Sequence, residues 1–226
     1  MTASTIFTHR MPIIVGHYGT GKTEFAVNLA LKLAAEGERV MLADVDIVNP
    51  YFRSRERKSM LEEAGVHLIA TSQACTDADI PALPAELLTI FENRDIRGIL
   101  DVGGDPVGAR ALARYQPEIA REDYQLVYVL NANRPEVREP EDAVRYLRDI
   151  ENIMGLTCSG IVNNTHLCYE TTEEEIRKGA KLSATVSKMT GIPVLCHVAE
   201  ERFAKNLSDL SEPVFPITIK MKKPWE

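Results

Sequence analysis

The chain has 226 residues, 45% hydrophobic and 26% charged, and its 26 Lys plus Arg against 33 Asp plus Glu give a net charge of -7. That length buries a full core, and with no linker, repeat or low-complexity tract residues 1–226 are expected to form a single α/β domain. The acidic balance argues against a nucleic-acid partner, and no signal-type leader or apolar run of the ~20 residues that span a bilayer is visible, which argues for a cytoplasmic protein away from membranes.

The first apolar run, Met11 to Val15, reads as a buried strand leading into a glycine-rich segment. A helix is expected from Glu24 to Glu36, with Phe25, Leu29 and Leu33 on one face and Gly37 ending it. Arg39 to Ala43 is the next strand, stopping at Asp44. Further strands are expected at Val66–Ala70, Gly98–Asp101, Gln125–Leu130, Ser159–Asn163 and Pro193–His197, with an edge strand at Val214–Ile219. Between them lie helices at Ala85–Glu92, at Glu141–Met154 closed by Gly155, and from the capping-box signal Thr172-x-x-Glu175 to Thr190, closed by Gly191. Strands alternating with helices at this spacing imply right-handed crossovers, hence a three-layer α/β sandwich on a mainly parallel sheet of seven or eight strands.

The 4 cysteines, Cys75, Cys158, Cys168 and Cys196, form no C-x-x-C pair. Cys158 and Cys196 sit in apolar runs, and the expectation is reduced thiols rather than a metal site or a disulfide.

The chemistry is concentrated in Gly16-His17-Tyr18-Gly19-Thr20-Gly21-Lys22-Thr23, which has the spacing G-x-x-x-x-G-K-T between a strand and a helix. Glycines let the backbone curl round phosphate oxygens with its N–H groups inward, Lys22 reaches the β- and γ-phosphates, and Thr23 offers a hydroxyl to Mg²⁺. The helix start adds its positive end to the same anion.

A second group of candidates follows the other strands. Asp101 ends an apolar strand, where a carboxylate holds a magnesium-bound water, or alternatively caps the next helix. It runs into Val102-Gly103-Gly104-Asp105, whose glycines leave a backbone able to approach a γ-phosphate. Asp44-Val45-Asp46 follows the second strand; Asp46 is the choice for orienting the attacking water and for supporting magnesium, Asp44 for a supporting contact, and Asp105 is the next catalytic candidate. An ordinary polar turn is the alternative there. Asn49-Pro50-Tyr51-Phe52-Arg53 reads as a switch segment for a partner contact, or as a local hydrophobic staple.

These motifs resemble the CobQ/CobB/MinD/ParA nucleotide-binding family, relatives of the nitrogenase iron protein. The likeness spans nearly the whole chain: the phosphate loop, Asp44-Val45-Asp46, Asp101 to Asp105, Asn131-Ala132-Asn133-Arg134-Pro135-Glu136-Val137 (similar to the N-P-E-V run of MinD), Val198-Ala199-Glu200-Glu201 and Ser211-Glu212-Pro213-Val214. The resemblance implies ATP and Mg²⁺ as cofactors, slow hydrolysis to ADP, and an ATP-dependent dimer that loads or regulates a partner protein. It also implies that Asn163 contacts adenine, with the backbone near Ala199 and Glu200 flanking the base; a plain turn at Asn163-Asn164 is the alternative.

The chain departs from the family at His17, where the relatives carry a Lys that reaches the partner subunit's nucleotide. An imidazole is not a fixed cation at neutral pH, which argues against the ATP-sandwich dimer but leaves homodimerisation through another surface open. Gly108 stands where iron-protein relatives place a cluster cysteine, no C-x-C pair is present, and Asn163-Asn164-Thr165-His166 replaces N-K-x-D, which favours ATP over GTP. The competing function is an ATP-dependent metabolic enzyme of the dethiobiotin-synthetase or cobyrinate-amidase type, and a small-molecule kinase comes third.

Overall fold

Alternate residues of the central strands point into two different cores, and that alternation defines the layers. On β1 (Met11–Val15), Met11, Ile13 and Val15 join one core while Ile14 joins the other. On β5 (Tyr124–Leu130), Leu126, Tyr128 and Leu130 face the first core, and Val127 and Val129 the second. A strand buried on both faces must be covered by helices on both. The computed structural model, which describes residues 2–46, 57–70 and 86–221, has that arrangement.

Eight strands form one parallel sheet in the order β3-β2-β4-β1-β5-β6-β7-β8. The others are β2 (Val40–Asp44), β3 (Val66–Ala70), β4 (Arg97–Asp101), β6 (Cys158–Asn163), β7 (Val194–Glu200) and β8 (Val214–Ile217). One core is closed by α4 (Leu87–Glu92), α5 (Pro106–Ala113), α6 (Gln116–Ile119), α7 (Pro140–Met154) and α8 (Glu173–Thr190). The other is closed by α1 (Ala3–Ile6), α2 (Lys22–Ala35) and α3 (Lys58–Glu63), with Phe7, Phe25 and Phe215 packed at ring-centroid distances of 5.5 to 5.9 Å. The three-layer α/β sandwich expected from the sequence is therefore present, with eight strands.

Most boundaries agree with the sequence reading to within two residues. The clearest difference at a strand end is β7, which runs to Glu200 because it pairs with β8 as far as Ile217. Gly155 and Gly191 end their helices at φ 64° and 77°, and Thr172 caps α8 by accepting the Glu175 N–H at 3.4 Å. The short helices α1, α3 and α6 carry no long apolar period, and α5 is the helix that the sequence allows after Asp101. The expected switch segment at 49–53 and Cys75 lie outside the described residues.

Among the described cysteines, Cys158 and Cys196 are buried free thiols and Cys168 is exposed. Burial pushes the Cys158 thiol up to about 12 and raises that of Cys196 further, so neither is a nucleophile at neutral pH.

Candidate functional site

The chain reverses its strand order around β1, and a parallel sheet opens a crevice at the carboxyl ends of its strands there. The loop leaving β1 fills that crevice. Gly19 and Gly21 stand at φ 74° and 81°, conformations that L side chains rarely adopt. The loop is tied internally by the Thr20 hydroxyl, which donates to the His17 carbonyl at 2.9 Å, and from outside by the Asn164 amide, which donates to the carbonyls of Thr20 at 2.8 Å and Gly21 at 3.2 Å. α2 begins at Lys22, so its free N–H groups face the same space.

The neighbouring strands bring carboxylates beside Lys22. Asp44 and Asp101 are direct register partners on β2 and β4, so both side chains emerge on the same side at the same height. Asp46, also buried, donates its backbone N–H to the Asp44 carboxylate at 3.2 Å. Burial lowers the proton affinity of the Lys22 ammonium, and Asp101, Asp46 and Asp105 oppose that change. The Asp101 carboxyl is pushed up to about 8 by burial and then by the Asp44 charge, against the pull of Lys22. The Thr23 hydroxyl also favours its ionised form, yet neither carboxylate oxygen closes a well-formed hydrogen bond among the described residues.

Buried carboxylate oxygens that close no well-formed hydrogen bond, beside the Thr23 hydroxyl and the Lys22 ammonium, fit a divalent cation bound together with phosphate. No group of three or more His, Cys, Asp or Glu among the described residues is placed to hold a metal by itself. A magnesium ion here would depend on phosphate oxygens and water for most of its ligands.

The segment after β4 closes over the loop. A Cβ at Gly104 would lie 2.6 Å from the Tyr18 amide nitrogen and 2.7 Å from Lys22 Nζ, so only glycine permits this approach. Asp105 caps α5 by accepting the Gly108 N–H at 2.8 Å, which is the capping role the sequence left open for Asp101. The Tyr146 hydroxyl on α7 donates to the Gly104 carbonyl at 3.1 Å, and its ring lies edge-on to His17 at 5.1 Å.

A cavity of about 340 Å³ runs from Gly19, Gly21, Lys22, Thr23 and Asp46 towards Val198, Ala199, Glu200, Ile217 and Met221. Val198, Ala199, Ile217 and Met221 give it an aliphatic wall beside Glu200, and polar loop residues the rest, a mixture that suits a nucleotide. Tyr18, Ala199 and Glu200 line it. Gly16, His17 and Thr20 belong to the loop but are not on the cavity wall.

Asn163 is placed differently from the expected base contact. It is fully buried, its amide donates to the Ile176 carbonyl at 3.0 Å and meets His197 Nδ1 at 3.1 Å, and its oxygen accepts the Thr165 N–H. Asn164, one residue on, lines the cavity. Arg134 and His166 also line it; the sequence names them only within the Asn131–Val137 and Asn163–His166 runs, with no contact to the phosphate loop expected of either. Only the turn after β5 and the loop after β6 bring them to the phosphate loop.

The fold is a parallel α/β sheet with a G-x-x-x-x-G-K-T loop at the carboxyl end of β1. No protein-family model and no curated protein matches the chain. Solved structures do match it: the cell division protein FtsY of Thermotoga maritima at TM-score 0.56 and 21% identity, covering 81% of this chain and 59% of that one, and FtsY of Mycoplasma mycoides at 0.55 and 17%, covering 81% and 57%. The 54 kDa signal recognition particle protein of Aeropyrum pernix, solved in complex with GDP, matches at 0.53 and 22%, covering 82% and 40%. The chain thus spans less than two thirds of these proteins, and the likeness is one of fold. No helix among the described residues is long and apolar enough to cross a membrane.

Proposed function

We propose that the chain binds Mg-ATP in this cavity and hydrolyses it slowly, as a nucleotide-controlled switch or loader for a partner protein of the MinD/ParA kind. The observation that carries the reading is the Gly104 backbone lying directly against Tyr18 and Lys22, where the terminal phosphate of a bound triphosphate belongs. A segment that must yield to or seat on that phosphate reports which nucleotide is present, and that is what a switch requires.

In this reading the loop N–H groups and Lys22 bind the phosphates, and Thr23 with Asp101 holds the magnesium, which neutralises phosphate charge. Asp46 on the cavity wall orients the attacking water and supports the ion, with Asp105 as the alternative. The aliphatic wall at Ala199, beside Glu200, receives the base, and the chain offers no N-K-x-D run to select guanine.

Calorimetric titration with Mg-ATP, Mg-ADP and Mg-GTP, alongside Lys22→Ala, tests the reading. ATP is expected to bind more tightly than GTP, and Lys22→Ala to lose both. Unchanged ATP affinity in Lys22→Ala would refute the site. Rapid turnover that requires an added carboxylate compound would move the assignment to a metabolic enzyme.

A further inference from the structure

The phosphate loop has a second fixed cation beside it, and it comes from a segment of the chain that no phosphate-binding motif includes. Arg134 follows β5 in a tight turn: its own N–H donates to the Asn131 carbonyl at 3.0 Å, and the Asn133 N–H donates to the Asn131 side-chain oxygen at 3.0 Å. The Asn131 amide donates to the His166 carbonyl, and the Ala132 N–H donates to the Thr165 hydroxyl, which fixes the turn to the loop after β6. Pro135 then opens a 3-10 turn that carries the chain away. The base of the Arg134 side chain is thereby fixed at both ends.

From there the side chain reaches the phosphate loop. Its Nε–H donates to the Gly19 carbonyl at 2.6 Å, and a Cβ at Gly19 would lie 2.7 Å from the guanidinium carbon. Arg134 lines the cavity alongside Lys22, and no carboxylate among the described residues pairs with it. A guanidinium held through Nε keeps its two terminal nitrogens available for an anion, the geometry in which arginine binds phosphate through two bonds. His166, across Gly21, does not compete as a cation, since burial and the Arg134 charge keep its imidazole neutral.

His17 cannot take this part. Its ring packs on Tyr146 within its own chain and its Nδ1 lies 4.0 Å from the Glu136 carboxylate. The loop position that would project outward carries no fixed charge.

We propose that Arg134 is a phosphate-binding residue acting in cis, supplying from within one chain the second fixed positive charge on the bound nucleotide's phosphates. The proposal rests on the nucleotide reading of the cavity. It makes a complete phosphate site available to a monomer.

The test compares Arg134→Ala, Arg134→Lys and Arg134→Gln with Lys22→Ala by calorimetry with Mg-ATP and Mg-ADP, thermal unfolding confirming that each variant folds. Lys keeps the charge and Gln keeps a hydrogen bond to the loop without it. Loss of one charge-assisted contact is expected to weaken Mg-ATP about tenfold or more in the Ala and Gln variants, with Lys recovering part of the affinity. Wild-type affinity in Arg134→Gln, with Lys22→Ala binding nothing, would leave the nucleotide site standing and overturn the role of Arg134. Wild-type affinity in both would overturn the site and the proposal together. Mixing Arg134→Ala with Lys22→Ala separates cis from trans: turnover restored on mixing contradicts action in cis, and turnover that stays at the level of the separate variants supports it.

Discussion

The Tyr146 hydroxyl donates to the Gly104 carbonyl across 3.1 Å, while the same ring lies 5.1 Å from His17, edge to face. One side chain on α7 therefore touches both the phosphate loop and the glycine segment that closes on it. Burial, then the Asp105 charge, raises the phenol far above its ordinary value, so it remains a neutral donor at any physiological pH.

Tyr146→Phe removes that bond and keeps the ring contacts with His17 and with Tyr128, stacked at 6.1 Å. Folding stability is expected to change by about 1 kcal/mol, the net worth of one neutral hydrogen bond. Mg-ATP turnover is expected to change more than Mg-ATP affinity, because the segment that seats on the phosphate has lost its tether. Steady-state kinetics beside calorimetry checks this; equal turnover would leave the tether without a functional part.

Gly104→Ala places a methyl 2.6 Å from the Tyr18 nitrogen and 2.7 Å from Lys22 Nζ. The backbone on one side and the phosphate-binding lysine on the other both resist that approach. The expected outcome is an open loop with turnover reduced at least about tenfold, a barrier change of roughly 1.4 kcal/mol. Wild-type turnover in this variant would show that the closed arrangement is not the working one.

The carboxylates at the crevice are expected to divide their roles. Asp46→Ala keeps Mg-ATP bound and loses most hydrolysis, whereas Asp101→Asn weakens the magnesium-dependent part of binding. Burial and repulsion by Asp44 push the Asp101 carboxyl from 3.8 up to about 8, so at neutral pH the native protein takes up a proton that the unfolded chain does not. Asp101→Asn needs no such proton and is expected to raise the stability of the nucleotide-free protein by about 1 kcal/mol. Chemical denaturation with and without Mg-ATP reads both effects, and a loss of apo stability would count against the repulsion argument.

Because His17 is engaged by Tyr146 and Glu136 inside its own chain, ATP is expected to drive little or no dimerisation. Light scattering of Asp46→Ala with and without Mg-ATP is the measurement. A monomer-to-dimer shift on adding ATP, abolished by His17→Ala, would restore the sandwich dimer of the relatives.

The half-buried histidine His166 makes stability depend on pH. Burial, then Arg134, lowers its imidazole from 6.5 to about 4. The unfolded chain therefore binds more protons between those values, and stability rises with pH through that window. Going from pH 7 to pH 5 is expected to cost about 2 kcal/mol through this residue, and His166→Gln to remove that part of the slope. His197 adds in the same direction, its lowered value set by burial against the opposing Glu212 hydrogen bond and charge. Urea midpoints of wild type and His166→Gln at the two pH values check it; equal slopes would contradict it.

What the sequence determined by itself was everything carried by local pattern. Strand–glycine loop–helix spacing located the phosphate loop, apolar runs located the buried strands, and the alternation of strands and helices gave the layers, since each depends on neighbours within a few residues. The apolar runs also placed Asp44 and Asp101 at the ends of β2 and β4. What only the tertiary structure decided was which residues meet across long separations. Asn163 and Asn164 are adjacent in sequence, but β6 directs the first to His197 on the neighbouring β7 and the second to the loop carbonyls of Thr20 and Gly21. Arg134 lies 115 residues from Gly19 and meets it because β5 and β1 are parallel neighbours, so the turn after one strand opens beside the loop after the other. No local pattern encodes that meeting, because it is set by strand order, and strand order is fixed only when the whole sheet assembles.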